Sequence, residues 1–157
     1  MEQSNSGAVL WLRRGMTAEM RHWQDSVVAQ LETAAARSDV SVDVNRWSRK
    51  VETSANARRV EGDAAALDAY RRYSLWADRA DVSLEPAFQT YWDECTFTDK
   101  SCEVILFPVI CLALYEEDGL IAVYPHVRDD EVVTVADGLD LIAHVPADKP
   151  LAAELPS

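Results

Sequence analysis

Five cations fall within fourteen residues of this chain, Arg46, Arg49, Lys50, Arg58 and Arg59, and Glu52 is the one acid among them. A guanidinium is planar and can offer two N–H donors to two phosphate oxygens at once, and Trp47 in the same run could stack on a base if exposed. That is the chemistry of a nucleic-acid or anion contact. The same residues also suit a solvated loop whose arginines pair with carboxylates elsewhere in the chain, each exposed pair contributing roughly 0–1 kcal/mol. Both readings of Arg46–Arg59 stand at the level of sequence.

Other residue types offer less. Cys95, Cys102, Cys111 and His126 could make up a Cys3His zinc set, yet none of the thiols forms the close-spaced ligand pair of a finger or ribbon. Three cysteines, one of them in an apolar run, read as ordinary thiols without a disulfide framework. Glu116, Glu117 and Asp118, and again Asp129, Asp130 and Glu131, lack the regular oxygen offsets and inner glycine of a calcium loop and read as solvated turns. His22, His126 and His144 lie in no nucleophile or metalloprotease motif, and the five glycines are scattered rather than gathered into a phosphate loop. No catalytic residue, metal or cofactor is expected, and the chain reads as non-enzymatic.

The net charge of −12 is unevenly spread. Residues 1–80 carry twelve Arg and Lys against eleven Asp and Glu, whereas residues 81–157 carry three against sixteen. Twelve of the cations are Arg and three are Lys, and Asp outnumbers Glu, a balance that suits concentrated salt. At molar ionic strength the Debye length is ~3 Å and the self-repulsion of the acidic half is screened. A halophilic, cytoplasmic protein is expected. The start has no basic segment ahead of an apolar stretch, unlike a secretory leader. The longest apolar run, Val104 to Tyr115 with Pro108 inside it, is well short of the ~20 residues that span a bilayer, so no membrane association is expected.

The elements that must position these residues follow from periodicity. Ala8 to Arg13 reads as a strand broken by Gly15. Thr17 is a candidate N-cap for a helix to about Arg37, with Met20, Trp23, Val27, Leu31 and Ala34 on one stripe. Val40, Val42 and Val44 alternate with polar residues, the pattern of a half-buried strand. A polar, basic stretch leads to a second helix over Asp63 to Ala80. Beyond Leu84 the grammar is sheet: Pro86 to Cys95, Glu103 to Ile110, and two apolar runs hinged at Glu116 to Gly119, where Asp-Gly marks a hairpin. Pro108 lacks a ladder donor and belongs at an edge or bulge. A strand at Glu131 to Val135 and a short helix at Ala136 to His144 close the pattern. The expectation is an α+β layered domain, β-α-β-α followed by an antiparallel meander and a short helix, with helices on one face of a mostly antiparallel sheet. One globular domain over residues 1–146 and a flexible tail over 147–157 are expected.

Three segments, VSLEPAF (Val82 to Phe88), FPVICLALYEEDGLIAVYPH (Phe107 to His126) and TVADGLDLI (Thr134 to Ile142), resemble a family of small, uncharacterised haloarchaeal proteins that carries a helix-turn-helix label. The resemblance extends over most of the chain and implies a regulatory domain that acts on DNA. It brings no particular binding residue with it. In the order read from the residues a strand separates the first two helices, whereas a helix-turn-helix joins its pair by three or four residues. The alternatives are a module that pairs with a second copy of itself through its sheet, or a small-molecule sensor with a pocket between helices and sheet.

Overall fold

The structure, a computed structural model, describes residues 6–53, 63–94, 101–117, 119–146 and 150–155. Strand β1 (Ser6–Arg13) enters helix α1 (Ala18–Ser38) through Thr17, whose hydroxyl accepts the Met20 amide at 3.2 Å. The helix stops at Asp39, with φ 55°, and β2 (Val40–Trp47) runs back parallel to β1, Ser6 beside Val40 and Arg13 beside Trp47. On its other side β1 pairs antiparallel with β6 (Ile110–Glu116), and β7 (Gly119–Tyr124) completes a sheet ordered β2-β1-β6-β7. The expected hairpin turn is present: Glu116 faces Gly119, and Gly119 takes φ 120°, open to glycine and strained for other residues.

Both faces of this sheet are covered. Leu10, Leu12, Leu112 and Leu114 lie in one core with Val27 and Leu31 of α1 and Leu139 and Ile142 of α3 (Val135–His144). The alternate residues Trp11, Cys111, Ala113 and Val123 lie in a second core with Leu67, Tyr73 and Ala77 of α2 (Asp63–Ala80). The class is the expected α+β, but the helices divide between the two faces instead of sharing one. The cause is legible in β6, where Ile110 to Leu114 are all buried: a strand apolar at every position needs cover on both sides.

The expected meander is dispersed into three pieces. Strand β3 (Lys50–Glu52), within the stretch expected to be polar loop, joins β5 (Ser101–Leu106) and β4 (Gln89–Glu94) in a separate sheet ordered β3-β5-β4. The apolar run from Val104 to Tyr115 therefore serves two sheets, and it divides at Pro108, which has no N–H to give to a ladder. Strands β8 (His126–Arg128) and β9 (Glu131–Val133) make a small hairpin over Asp129 and Asp130, both at positive φ as a tight hairpin turn requires. Thr134 then caps α3 in a reciprocal box with Asp137.

Trp47 sits at the join of the sheets with no exposed surface. It stacks on Trp11 at 4.8 Å and 12°, meets Phe107 at 4.5 Å and Phe88 at 5.6 Å, and donates its indole N–H to the Pro108 carbonyl at 2.9 Å. Past α3, Leu151 is 1% exposed in a 3-10 turn, Leu151–Glu154, within the stretch expected to be a flexible tail. The Glu116 carboxylate anchors that turn by accepting the Leu151 and Ala152 amides, each at 3.0 Å. Glu116, expected in a solvated turn, is thus a structural carboxylate at the start of a helical turn.

Candidate functional site

The C-terminal end of β1 carries two consecutive arginines, Arg13 and Arg14, and Gly15 at φ 73° turns the chain away immediately after them. Parallel pairing brings this end beside the end of β2: Arg13 lies opposite Trp47, and the Arg14 amide donates to the Trp47 carbonyl at 2.9 Å. The two residues after Trp47, Ser48 and Arg49, lead into β3, which starts at Lys50. Four cations thus converge on one margin where two sheets meet. The arrangement is held from behind. Gln24 of α1, 1% exposed, donates to the carbonyls of Arg13 at 3.1 Å and Val109 at 3.0 Å. Arg13 Nη1 donates to the Phe107 carbonyl at 3.1 Å, and the Phe107 amide donates to the Arg49 carbonyl at 2.9 Å.

The charges interact. Burial, and then the positive charge of Arg49, lower the pKa of Arg13 from its ordinary value, so the two guanidinium groups repel each other. Its Nε is buried without a hydrogen-bond partner among the described residues. Two acids lie by this margin: Glu52 at the end of β3, and Asp63 at the start of α2, which accepts from the Ser48 hydroxyl at 3.0 Å. Burial raises the pKa of Asp63, while the Ser48 hydrogen bond and the charge of Arg14 act in the opposite direction.

Of the sequence candidates, Arg46, Arg49 and Lys50 are all exposed, and among the described residues none has a carboxylate at ion-pair distance. Arg49 joins Arg13. Arg46 lies one residue before Trp47 on β2, so its side chain leaves from the opposite face, above the α1 side of the same edge. Arg58 and Arg59 lie outside the described residues. Trp47, considered as a base-stacking residue, is buried in the aromatic core, so it cannot stack on a nucleic acid from where it stands. Arg13 and Arg14 were not singled out in the sequence. The signal was a pair of arginines between an apolar strand and a glycine, and it gains meaning only when the β1–β2 register is known.

The other candidates scatter. Cys111 is wholly buried in β6, and burial pushes its thiol pKa up. Cys102 is buried in β5 of the other sheet, and Cys95 lies outside the described residues. Among the described residues no three potential metal ligands come together. His22 and His144 are exposed, whereas His126 is buried against Trp76 and Tyr124.

The fold and this margin describe an α+β domain with a positively charged edge on an otherwise acidic chain. A family model described as a helix-turn-helix domain matches residues 2–145, and the chain belongs to that family. No curated protein and no solved structure matches it. Among the described residues no two α-helices follow one another, since strands separate α1 from α2 and α2 from α3. Nor is any helix among them long and apolar enough to cross a membrane.

Proposed function

We propose that this is a non-enzymatic regulatory domain that contacts DNA through the margin formed by Arg13, Arg14, Arg49 and Lys50, with Arg46 beside it and Arg58 and Arg59 in the continuing chain. The observation that carries this reading is the juxtaposition of Arg13 and Arg49, like charges held together where an anion would relieve their repulsion. Membership of a helix-turn-helix family supports the same partner. The contact is by the C-terminal ends of β1 and β2 and the start of β3, and phosphate is what such a surface reads, so affinity would depend little on base sequence. The composition supports a halophilic, cytoplasmic setting, in which counterion release is weak and binding rests on close direct contacts.

The test is a pair of double substitutions, Arg49→Ala with Lys50→Ala and Arg58→Ala with Arg59→Ala, titrated against duplex DNA over a potassium chloride series. Each should weaken binding across all sequences and flatten the dependence of log K on log salt by about 0.9 per lost phosphate contact. Absence of binding by the unsubstituted protein at every salt concentration would reject the reading. Self-association is the second reading, favoured by Trp92, 71% exposed on the edge strand β4. Sedimentation of the Trp92→Ser protein distinguishes it, since a dimer made through that edge would dissociate.

A further inference from the structure

Away from the basic margin, a cavity of about 470 Å3 opens between α2, β7, the β8–β9 hairpin and α3. Its size falls among the roughly 300–1,000 Å3 of small-molecule sites. The walls are largely apolar, with Trp76, Tyr124, Ile121 and Leu141 among them, and three polar side chains, His126, Arg128 and Asp137, line the same space. Trp76 is fixed by a hydrogen bond from its indole N–H to the Ile121 carbonyl at 3.1 Å and meets the His126 ring edge-on at 5.3 Å. Tyr124 is fixed from behind by Gly138, where an added Cβ would stand 2.7 Å from the ring. The aromatic walls are therefore set before any ligand arrives.

The polar groups select what could fill this space. Arg128 is the one arginine in residues 81–157, and its Nε is buried with no hydrogen-bond partner among the described residues. A buried guanidinium donor without an acceptor is costly, and a carboxylate, which can take two parallel N–H bonds, is its best complement. His126 Nδ1 lies 2.6 Å from the Val123 carbonyl, which can only accept, so Nδ1 carries the proton. Burial first, and Arg128 with it, lowers the pKa of His126, against opposing effects of the Val123 carbonyl and Asp137, which leaves the neutral ring with Nε2 as an acceptor. Asp137 also lines the cavity, but its carboxylate is already engaged by the Thr134 amide at 2.8 Å. With one cation and one nearby carboxylate, a singly charged anion fits and a phosphate dianion does not.

We propose that this cavity binds a small aromatic monocarboxylate bearing an N–H or O–H group, its ring between Trp76 and Tyr124, its carboxylate on Arg128 and its donor on His126. The chain as a whole carries a net charge of −12, so any preference for an anion must come from this one local cation.

The experiment is calorimetric titration of the full chain with indole-3-acetate, 4-hydroxyphenylacetate and 4-hydroxybenzoate. For the indole the controls are 3-methylindole, which lacks the charge, and tryptamine, which reverses it. The expected order is carboxylate tighter than neutral, and neutral tighter than amine. Arg128→Gln, at a half-buried position of the β8–β9 hairpin, should weaken the carboxylate by about tenfold to a hundredfold while leaving 3-methylindole unchanged. Leu141→Trp should block all of them, and its melting temperature shows whether the fold survives. No binding by any of the three carboxylates, equal binding of indole-3-acetate and 3-methylindole, or an Arg128→Gln protein that binds carboxylate normally would each overturn the proposal.

Discussion

Replacing Trp47 separates a core residue from a base-stacking one. Its indole touches Trp11, Phe88 and Phe107 and gives its N–H to Pro108. In Trp47→Phe the Pro108 carbonyl loses its donor, at about 1–3 kcal/mol, and the stack on Trp11 is weakened by roughly 0.5–1.5 kcal/mol. The sum is about 1.5–4.5 kcal/mol. Trp47→Ala adds a large cavity and belongs with the aromatic truncations at about 3–5 kcal/mol or above. Against a total stability of roughly 5–15 kcal/mol, the alanine protein should be marginal and the phenylalanine protein clearly folded. Urea unfolding followed by far-ultraviolet circular dichroism reads both. A lower midpoint with an unchanged slope is expected for Trp47→Phe, together with unchanged affinity for DNA. A loss below about 1 kcal/mol in Trp47→Ala would refute the placement of this ring in the core and restore its candidacy for stacking on a base.

Gly138→Ala should cost about 1–3 kcal/mol by overpacking against Tyr124 and Leu112, seen as a lower melting temperature, where glycine to alanine in a helix ordinarily stabilises. His126 is held below its ordinary pKa of 6.5, so the unfolded chain takes up a proton there that the folded chain refuses. Its stabilising contribution is therefore complete above pH 6.5 and is lost as pH falls through the lower folded value, so His126→Asn should flatten the wild-type decline in urea midpoint below that pH. Glu116→Ala should release the turn at Leu151 with a loss of roughly 1–3 kcal/mol, visible as faster hydrogen exchange of the Leu151 and Ala152 amides. On lowering salt from molar to millimolar, the β4–β5 and β8–β9 hairpins should lose exchange protection before β6 and β7, which are acidic-half strands locked into the central sheet. Simultaneous loss in all four would count against that order.

Much of the framework was legible because it rests on local periodicity. The Val40, Val42 and Val44 alternation marks β2, and Thr17 and Asp63 mark the starts of two helices at or next to the observed boundaries. What escaped depends on distant partners. Strand β3 has one apolar residue, Val51, and exists because β5 lies beside it. Pro108 marks an interruption of the apolar run in sequence, but that the two parts go to different sheets depends on their distant partners. Residues 46, 49 and 50 were recognisable as basic, but the meeting of Arg49 with Arg13 needs the parallel β1–β2 register. Arg128 gave no signal at all, because a lone arginine becomes notable only when a hairpin folds it into a cavity.

Amide hydrogen exchange on the full chain, with and without a saturating nonspecific DNA duplex in potassium chloride, locates the DNA contact. Protection centred on Arg13, Arg14 and residues 46–52, with α3 and the β8–β9 hairpin unchanged, is the predicted footprint. Protection centred on α3 instead, or none on the basic margin while DNA is bound, would place the contact elsewhere and leave Arg13 and Arg49 without the partner assigned to them.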